Sequence, residues 1–457
     1  MWLKNKIAQY KNYKSGVRHC TFDPNGPGVV RIHLVPPRFR LFGNAPYIVI
    51  LNGYYLLPIG YSWAVLLSAF IDEVNKYDGK PIDEAAVSDI TESTLSAAKA
   101  VYPGISRGEL LCDLNEILRV LFAVARRSDP EIEIERLSIR SYSKNMTAPH
   151  RVDLMVSAMT DENGVWKCNQ KCAFCYAGGQ KLASSKELSS DDWKKIIDKL
   201  WSAGVPMVTF TGGEPTLRED IAELIGYAKR FVTRLNTNGI KLTPELAHRL
   251  RAAGLDSVQI TLYSHDEKTH NALVGAERFS DTVNGIKNAL LAGLDVSVNT
   301  PLCTSNSDYV KTLEFIHALG VRFATVSGLI LTGKASGGHT AADLGEDELY
   351  RAVCEAKSFC DKNGMEMDFT SPGLIAAEKL YAIGMNVPSC GAALSNMAIA
   401  PNGTAVPCQS WLSEQGSLGS ILDSRFSDIW NSELCKRLRA MSGTEALRCP
   451  FRDEKGK

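Results

Sequence analysis

Three cysteines crowd into one short segment, Cys168-Asn-Gln-Lys-Cys172-Ala-Phe-Cys175-Tyr176, with the spacing Cys-x3-Cys-x2-Cys. This spacing constrains the chain more than any other feature. Thiolates placed this way can take three corners of a 4Fe-4S cube and leave one iron open to a ligand with nitrogen and oxygen donors. Half of a zinc site is the competing reading, but structural zinc asks for four ligands, usually as two Cys-x2-Cys pairs. The chain has 12 cysteines in all, several of them near the C-terminus. Residues 1–14 are polar and lack the apolar core of a secretion signal. Clustered thiols without such a signal point to metal or iron–sulfur ligation in a reducing cytoplasm rather than to disulfides.

At 457 residues, 45% of them hydrophobic and 22% charged, the chain is built to fold into well-packed domains. Its length suggests roughly two to four of them. Lys+Arg and Asp+Glu are both 51, so the basic excess of a nucleic-acid or membrane-surface protein is missing. The longest apolar stretch, 47–71, is interrupted by Asn52-Gly53 and Pro58-Ile59-Gly60, which argues against a membrane helix. Neither a nucleic-acid nor a membrane partner is expected.

Three regimes follow along the chain. Residues 1–130 open with strand-like runs at 38–42, 47–51 and 54–58, the last two joined by an Asn52-Gly53 turn. Helical stripes follow: Trp63, Leu66, Leu67 and Phe70, then Leu110, Leu114, Leu118 and Leu121 behind a Ser106 cap. Three strands and then helices predict a small winged-helix-like α+β domain. A polar linker at 127–150 leads into alternating strands and helices over 150–335. Strands are expected at 151–157, 206–210, 231–236, 257–262, 295–300 and 322–331. Helix signals between them include Gly204 as a stop, Thr243-Pro244 as a start, and Ser280 as a cap with Gly293 as its stop. Six such units predict an α/β fold with a partial (β/α)6 TIM-like barrel whose chemistry sits at the strand C-terminal ends. Residues 336–457 form a Cys-rich C-terminal extension, with a helix near 346–363 and a hairpin at 397–407 turning on Asn402-Gly403.

The Cys triplet follows the first strand of the barrel region. Thr209-Phe-Thr-Gly212-Gly213-Glu214-Pro215 ends the second. The glycines would allow a ligand close to the backbone, and the carbonyls and carboxylate would accept from an ammonium group. Taken together, the two motifs resemble the radical S-adenosylmethionine (SAM) superfamily. The resemblance implies that Cys168, Cys172 and Cys175 hold a 4Fe-4S cluster whose open iron binds SAM. It implies that Gly212, Gly213 and Glu214 contact the SAM amino group and that Phe174 lies by the adenine. It also places Thr261 at the ribose and Asn299 in the SAM pocket, although Tyr263-Ser264 replaces the family's usual Asp-Gly. The implied reaction is reductive cleavage of SAM to a 5′-deoxyadenosyl radical, with electrons from a donor of the ferredoxin or flavodoxin type. No catalytic side chain is identified at this level.

Cys390-x12-Gly403-x4-Cys408, followed by Cys435 and Cys449, resembles the SPASM/Twitch extension of that superfamily. A full set has seven cysteines; here there are four, and Arg452 stands where a partner of Cys449 belongs. The resemblance implies one auxiliary cluster, with Cys435 either a ligand or an ordinary helix residue. Residues 1–130 resemble the recognition element of ribosomally made, modified peptides, which is similar to the pyrroloquinoline-quinone peptide chaperone. That implies a precursor peptide as substrate, and a crosslink or thioether maturase as the activity. Alternatives are a radical SAM enzyme acting on a small molecule or haem-type precursor, a sulfatase-type maturase, and a non-catalytic metal-binding scaffold.

Overall fold

A computed structural model of the chain describes residues 2–22, 30–37, 39–42, 45–51, 55–77, 80, 82–125, 146–336 and 342–444. The chain divides into two compact units: Met1–Ala148 with Leu200–Pro206 and Arg230–Val232, and the remainder. The 52–54 turn and most of the expected 127–150 linker lie outside the described residues.

The first unit opens with a helix, Trp2–Ser15, followed by a 4-stranded antiparallel sheet in the order β1 (Arg18–Phe22), β2 (Val30–Val35), β3 (Tyr47–Leu51), β4 (Tyr55–Ile59). Two of the expected strands are present as β3 and β4. The 38–42 run is not a strand over 39–42; β1 and β2 take its place in the sheet. Their signal was weak because His19, Arg31 and His33 interrupt the apolar alternation. Helices Tyr61–Val74, Glu84–Val101 and Arg107–Ala125 follow. Alternate residues of the middle strands, Val30, Ile32, Leu34, Tyr47, Val49 and Leu51, pack with Leu66, Leu67 and Phe70 and with Leu110, Leu114 and Leu121 in one core. Ser106 caps the last helix reciprocally: its Oγ accepts from Glu109 N at 3.2 Å, and Glu109 Oε2 accepts from Ser106 N at 2.9 Å.

In the second unit the six predicted strands appear as β5 (Arg151–Ser157), β6 (Met207–Gly212), β7 (Val232–Thr237), β8 (Ser257–Thr261), β9 (Asp295–Pro301) and β10 (Phe323–Ser327). They are neighbours in chain order. The 336–457 region continues this sheet rather than standing apart from it. β11 (Glu366–Phe369) pairs parallel with β10, and β12 (Asn396–Ile399) pairs parallel with β5. With β13 (Thr404–Val406) and β14 (Gly419–Ser420) the sheet reaches 10 strands. Gly403, at φ +84°, makes the β12–β13 turn.

The strands alternate with period two. Val208, Phe210, Leu235, Val258, Ile260, Val296, Val298, Ala324 and Val326 are buried. The intervening positions carry Thr209, Thr211, Asn236, Gln259, Asn299 and Thr325. Gln259 Nε2 donates to Thr325 Oγ1 at 3.1 Å, and Thr325 Oγ1 donates to Asn299 Oδ1 at 2.9 Å. A bond from β8 to β10 passes over β9, so these side chains share one face. The barrel interior is therefore polar, unlike an ordinary barrel core of branched aliphatic residues.

The helix starts and stops follow the sequence signals with one exception. Thr243 caps Pro244–Ala252, and Gly204 and Gly293 have positive φ after their helices. The helix predicted to be capped by Ser280 instead starts at Phe279, with Arg278 at the cap position, two residues earlier. That helix, Phe279–Leu291, carries Gly285, where an added Cβ would lie 2.1 Å from Gly239 O. Alanine is the better helix former by about 1 kcal/mol, yet Gly285→Ala is expected to destabilise by about 1–3 kcal/mol because a backbone carbonyl must move. A lower urea midpoint for the variant checks this.

Candidate functional site

The strand C-terminal ends gather the predicted residues at one mouth. The Cys loop leaves β5, Gly212-Gly213-Glu214 leaves β6, Asn238-Gly239 follows β7, and Thr261 and Asn299 lie paired on β8 and β9.

The glycine pair has a structural reason of its own beside the expected approach to a ligand. At Gly212 (φ +144°) an added Cβ would sit 2.3 Å from Ser157 O, and at Gly213 it would sit 2.5 Å from Ala158 O. Both glycines clear the end of β5, and Gly213 N donates to Ser157 O at 2.9 Å. Their proximity brings Gly213 O within 3.4 Å of the Cys168 Sγ.

Glu214 is buried, and its carboxylate is fully engaged. Oε1 accepts from Thr216 N (3.0 Å), Thr216 Oγ1 (2.5 Å) and Thr237 Oγ1 (2.6 Å); Oε2 accepts from Asn238 N (2.8 Å). Burial holds its pKa above the usual carboxylate value, and these donors offset part of that rise. Asn238 Nδ2 then donates to Asn169 Oδ1 at 2.6 Å, inside the Cys loop. The sequence reading missed Asn238 and Gly239; the Asn-Gly pair directly after a strand was the available signal.

The three thiols are partly buried. Burial raises the pKa of all three, Cys168 and Cys172 to about 12. Each of Cys168 and Cys172 is pushed further by neighbouring thiols of the triplet. Three partly buried thiols, all raised by burial and two of them raised further by their neighbours, favour a cationic partner, which suits the donor set of an iron–sulfur cube. Among the described residues no three His, Cys, Asp or Glu side chains converge as ligands of one metal ion; thiolates that each take a different iron need no such convergence.

Phe174 and Cys172 pack against Tyr263, Leu273, Val274, Cys303 and Leu329. Tyr263, the departure from the usual motif, is held by its backbone: its N–H donates to His270 Nδ1 (3.3 Å), and Asn306 Nδ2 donates to its carbonyl (2.7 Å). His270 is thus a packing residue, and Cys360 is buried in its helix beside Val353 and Ala356.

The second cysteine group lies on the β12–β13 hairpin and the segment before it. Ala393 N donates to Pro407 O at 3.0 Å, which joins the segments carrying Cys390 and Cys408. Ser442 Oγ, on the helix Glu433–Thr444, reaches Cys390 Sγ at 3.9 Å. Cys435 lies two turns earlier on that helix, about 10 Å along its axis from Ser442. Its buried thiol accepts from Arg439 Nη1 at 3.6 Å, and Arg439 stacks 3.9 Å over the Trp430 ring. Cys449 lies outside the described residues.

The two cysteine segments are stitched together by residues that sequence reasoning overlooked. Gln180 Nε2 donates to Tyr176 O (2.6 Å) and Ser410 O (3.0 Å), and its Oε1 accepts from Leu412 N (2.9 Å). The Tyr176 hydroxyl reaches Gln409 Oε1 at 3.5 Å.

With this geometry in place, comparison with known proteins is decisive. Residues 167–316 match the family model of the radical SAM superfamily, and residues 390–450 match that of an iron–sulfur cluster-binding domain, SPASM. The mycofactocin maturase MftC of Mycolicibacterium smegmatis is 30% identical over 292 residues, covering 60% of this chain and 70% of that protein. The chain belongs to the radical SAM superfamily. It is an enzyme that uses 4Fe-4S clusters and SAM. An AdoMet-dependent heme synthase of Methanosarcina barkeri is 26% identical over 297 residues, 60% of this chain and 82% of that protein. Among solved structures, Streptococcus suis SuiB bound to its precursor peptide SuiA superposes with a TM-score of 0.59 at 15% identity. That match covers 86% of this chain and 87% of SuiB. Among the described residues no helix is long and apolar enough to cross a membrane.

The Glu214 network yields a prediction that needs no cofactor. In Glu214→Gln the amide oxygen can keep the three bonds at Oε1, but its NH2 then faces the Asn238 N–H. A donor left facing a donor is expected to cost about 1–3 kcal/mol, read as a lower melting temperature of the iron-free protein.

Proposed function

We propose that this radical SAM enzyme modifies a ribosomally made precursor peptide, forming a crosslink or thioether. The observation that carries the reading is β4, the last strand of the antiparallel sheet. Among the described residues it pairs with β3 alone in that sheet, and it presents Leu56 half exposed. Such an edge takes an extended peptide as an added strand, with backbone bonds for affinity and side-chain pockets for choice. The breadth of the likeness to SuiB, whose structure holds a precursor peptide, supports the reading. A barrel interior lined by Thr209, Asn236 and Gln259 suits polar peptide groups; Thr209 Oγ1 and Asn236 Oδ1 are buried without a hydrogen-bond partner among the described residues. The heme synthase relative motivates the competing reading, a haem-type precursor.

In this reading Cys168, Cys172 and Cys175 hold the cluster that binds SAM. Gly212, Gly213, Thr261 and Asn299 line the SAM pocket with Phe174. Glu214 shapes that pocket mainly by fixing the β6 and β7 ends, since its carboxylate already has four donors. Cys390, Cys408 and Cys449 hold an auxiliary cluster. Cys435, whose thiol accepts from Arg439, is either the fourth ligand or an ordinary helix residue. Bound cluster and SAM together supply reductive cleavage that ends in hydrogen-atom abstraction. The protein's part is to hold the peptide and keep water from the mouth. A low-potential donor of the ferredoxin or flavodoxin type in the cytoplasm provides the electron.

Replacing Cys168, Cys172 and Cys175 by Ala is expected to abolish dithionite-driven formation of 5′-deoxyadenosine while about four irons per chain remain on the second site. Product and iron assays check both points. Deleting residues 1–130 should spare uncoupled SAM cleavage and greatly weaken modification of a leader-bearing precursor, tried with short reading frames from the gene's neighbourhood. Leu56→Asp should act in the same direction with the fold intact, because half of that side chain is already in water. A truncated enzyme that modifies the precursor as well as the full chain would overturn the peptide reading.

A further inference from the structure

Lys334 lies on a short turn after β10 that is pressed onto the Cys loop. Gly333 has φ +61°, and an added Cβ there would sit 2.2 Å from Tyr176 O and 2.6 Å from Cys175 O. Only glycine fits this contact. Lys334 N donates to Cys175 O at 3.0 Å, and Thr332 Oγ1 donates to Tyr176 O at 3.3 Å. The backbone of Lys334 is therefore tied to the third cysteine.

Its side chain is guided as well. The stem crosses Gly178, where an added Cβ would meet Lys334 Cγ at 3.2 Å and Cε at 3.3 Å. The ammonium lies 4.2 Å from the centroid of the Trp166 ring. Trp166 is itself fixed to the Cys loop, since its Nε1 donates to Gln170 O at 2.8 Å. A cation over an indole face keeps part of its stabilisation away from water. Trp166 shares one apolar cluster with Cys168, Cys175 and Tyr176, so the ammonium above its ring is held at the loop that carries the cysteines.

We propose that Lys334 sets how readily the cluster on Cys168, Cys172 and Cys175 accepts an electron, by holding a positive charge against the loop that carries the three cysteines. The inference rests on reading those cysteines as its ligands. A cube held by three thiolates is already anionic, and one electron from a low-potential donor adds another negative charge. A cation anchored to the same loop makes that addition less costly; Lys334 is exposed while the thiols are partly buried, so solvent and salt weaken the field without removing it. Lys334 is a positioning charge here, not a catalytic residue.

The test compares Lys334→Met and Lys334→Arg with the parent in the full anaerobic holoenzyme. Each is poised at fixed potentials with dithionite-based mediators and followed by electron paramagnetic resonance without SAM. The cluster in question is the one whose signal changes shape when SAM is then added. At a potential where the parent is half reduced, Lys334→Met should show a ratio of reduced to oxidised cluster about tenfold lower, and Lys334→Arg a ratio near the parent's. Iron content and visible absorption should be equal in all three. An unchanged ratio in Lys334→Met with full iron overturns the proposal. So does a shift that appears only with SAM present, which would assign the charge to the SAM carboxylate. If Lys334→Met loses iron, Lys334→Gln takes its place. Loss of iron in the Arg variant too overturns the proposal, because packing rather than charge then matters. A parent that binds no iron on the three cysteines would instead sink their assignment as ligands.

Discussion

A buried carboxylate organises the mouth of this barrel. Glu214 would be costly to bury alone, since an ionised group without partners loses far more than it gains. Its four donors come from the turn it begins and from the end of β7. Asn238 passes the connection to Asn169, between the first two cysteines of the triplet. The ends of β6 and β7 and the Cys loop are thereby held as one piece. The close approach of Gly212 and Gly213 to the end of β5 completes the link, since any side chain there would force the strands apart. A site whose chemistry depends on placing three thiols and a ligand pocket needs this rigidity more than it needs any single contact.

The C-terminal extension belongs to the same construction. β12 continues the barrel sheet beyond β5 and carries the hairpin that ends at Cys408. Gln180 then spans from the loop after Cys175 to the segment after Cys408 with three hydrogen bonds. One amide side chain satisfies groups on both segments, so neither loop can shift without breaking them. The two cysteine sites are joined through backbone and a side-chain amide, and Tyr176 and Gln409 add a longer contact between them.

Much of this was legible in the residues. The Cys triplet and the Gly-Gly-Glu-Pro turn named the superfamily. The strand runs and the stops at Gly204 and Gly293 located the barrel elements, because period and punctuation are local properties. The errors have equally local causes. β1 and β2 were missed because His19, Arg31 and His33 break the apolar alternation although two of them are buried. The 38–42 run has strand-forming residues but no strand over the described residues 39–42. Ser280 has the right chemistry for a cap, yet the helix begins at Phe279.

By itself the sequence determined the cysteine spacing, the order of strands and helices, and therefore the chemistry the chain can support. These depend on residues near one another in the chain. Tertiary structure decided what each motif residue does. The glycines of the Gly-Gly pair make room for β5, Glu214 turns inward to the β7 end, and Cys435 faces Arg439 two helical turns away from Ser442. It also placed Lys334 against a loop that precedes it by more than a hundred residues in the chain. Such pairings depend on which backbones meet after the sheet closes, and no local pattern encodes that meeting.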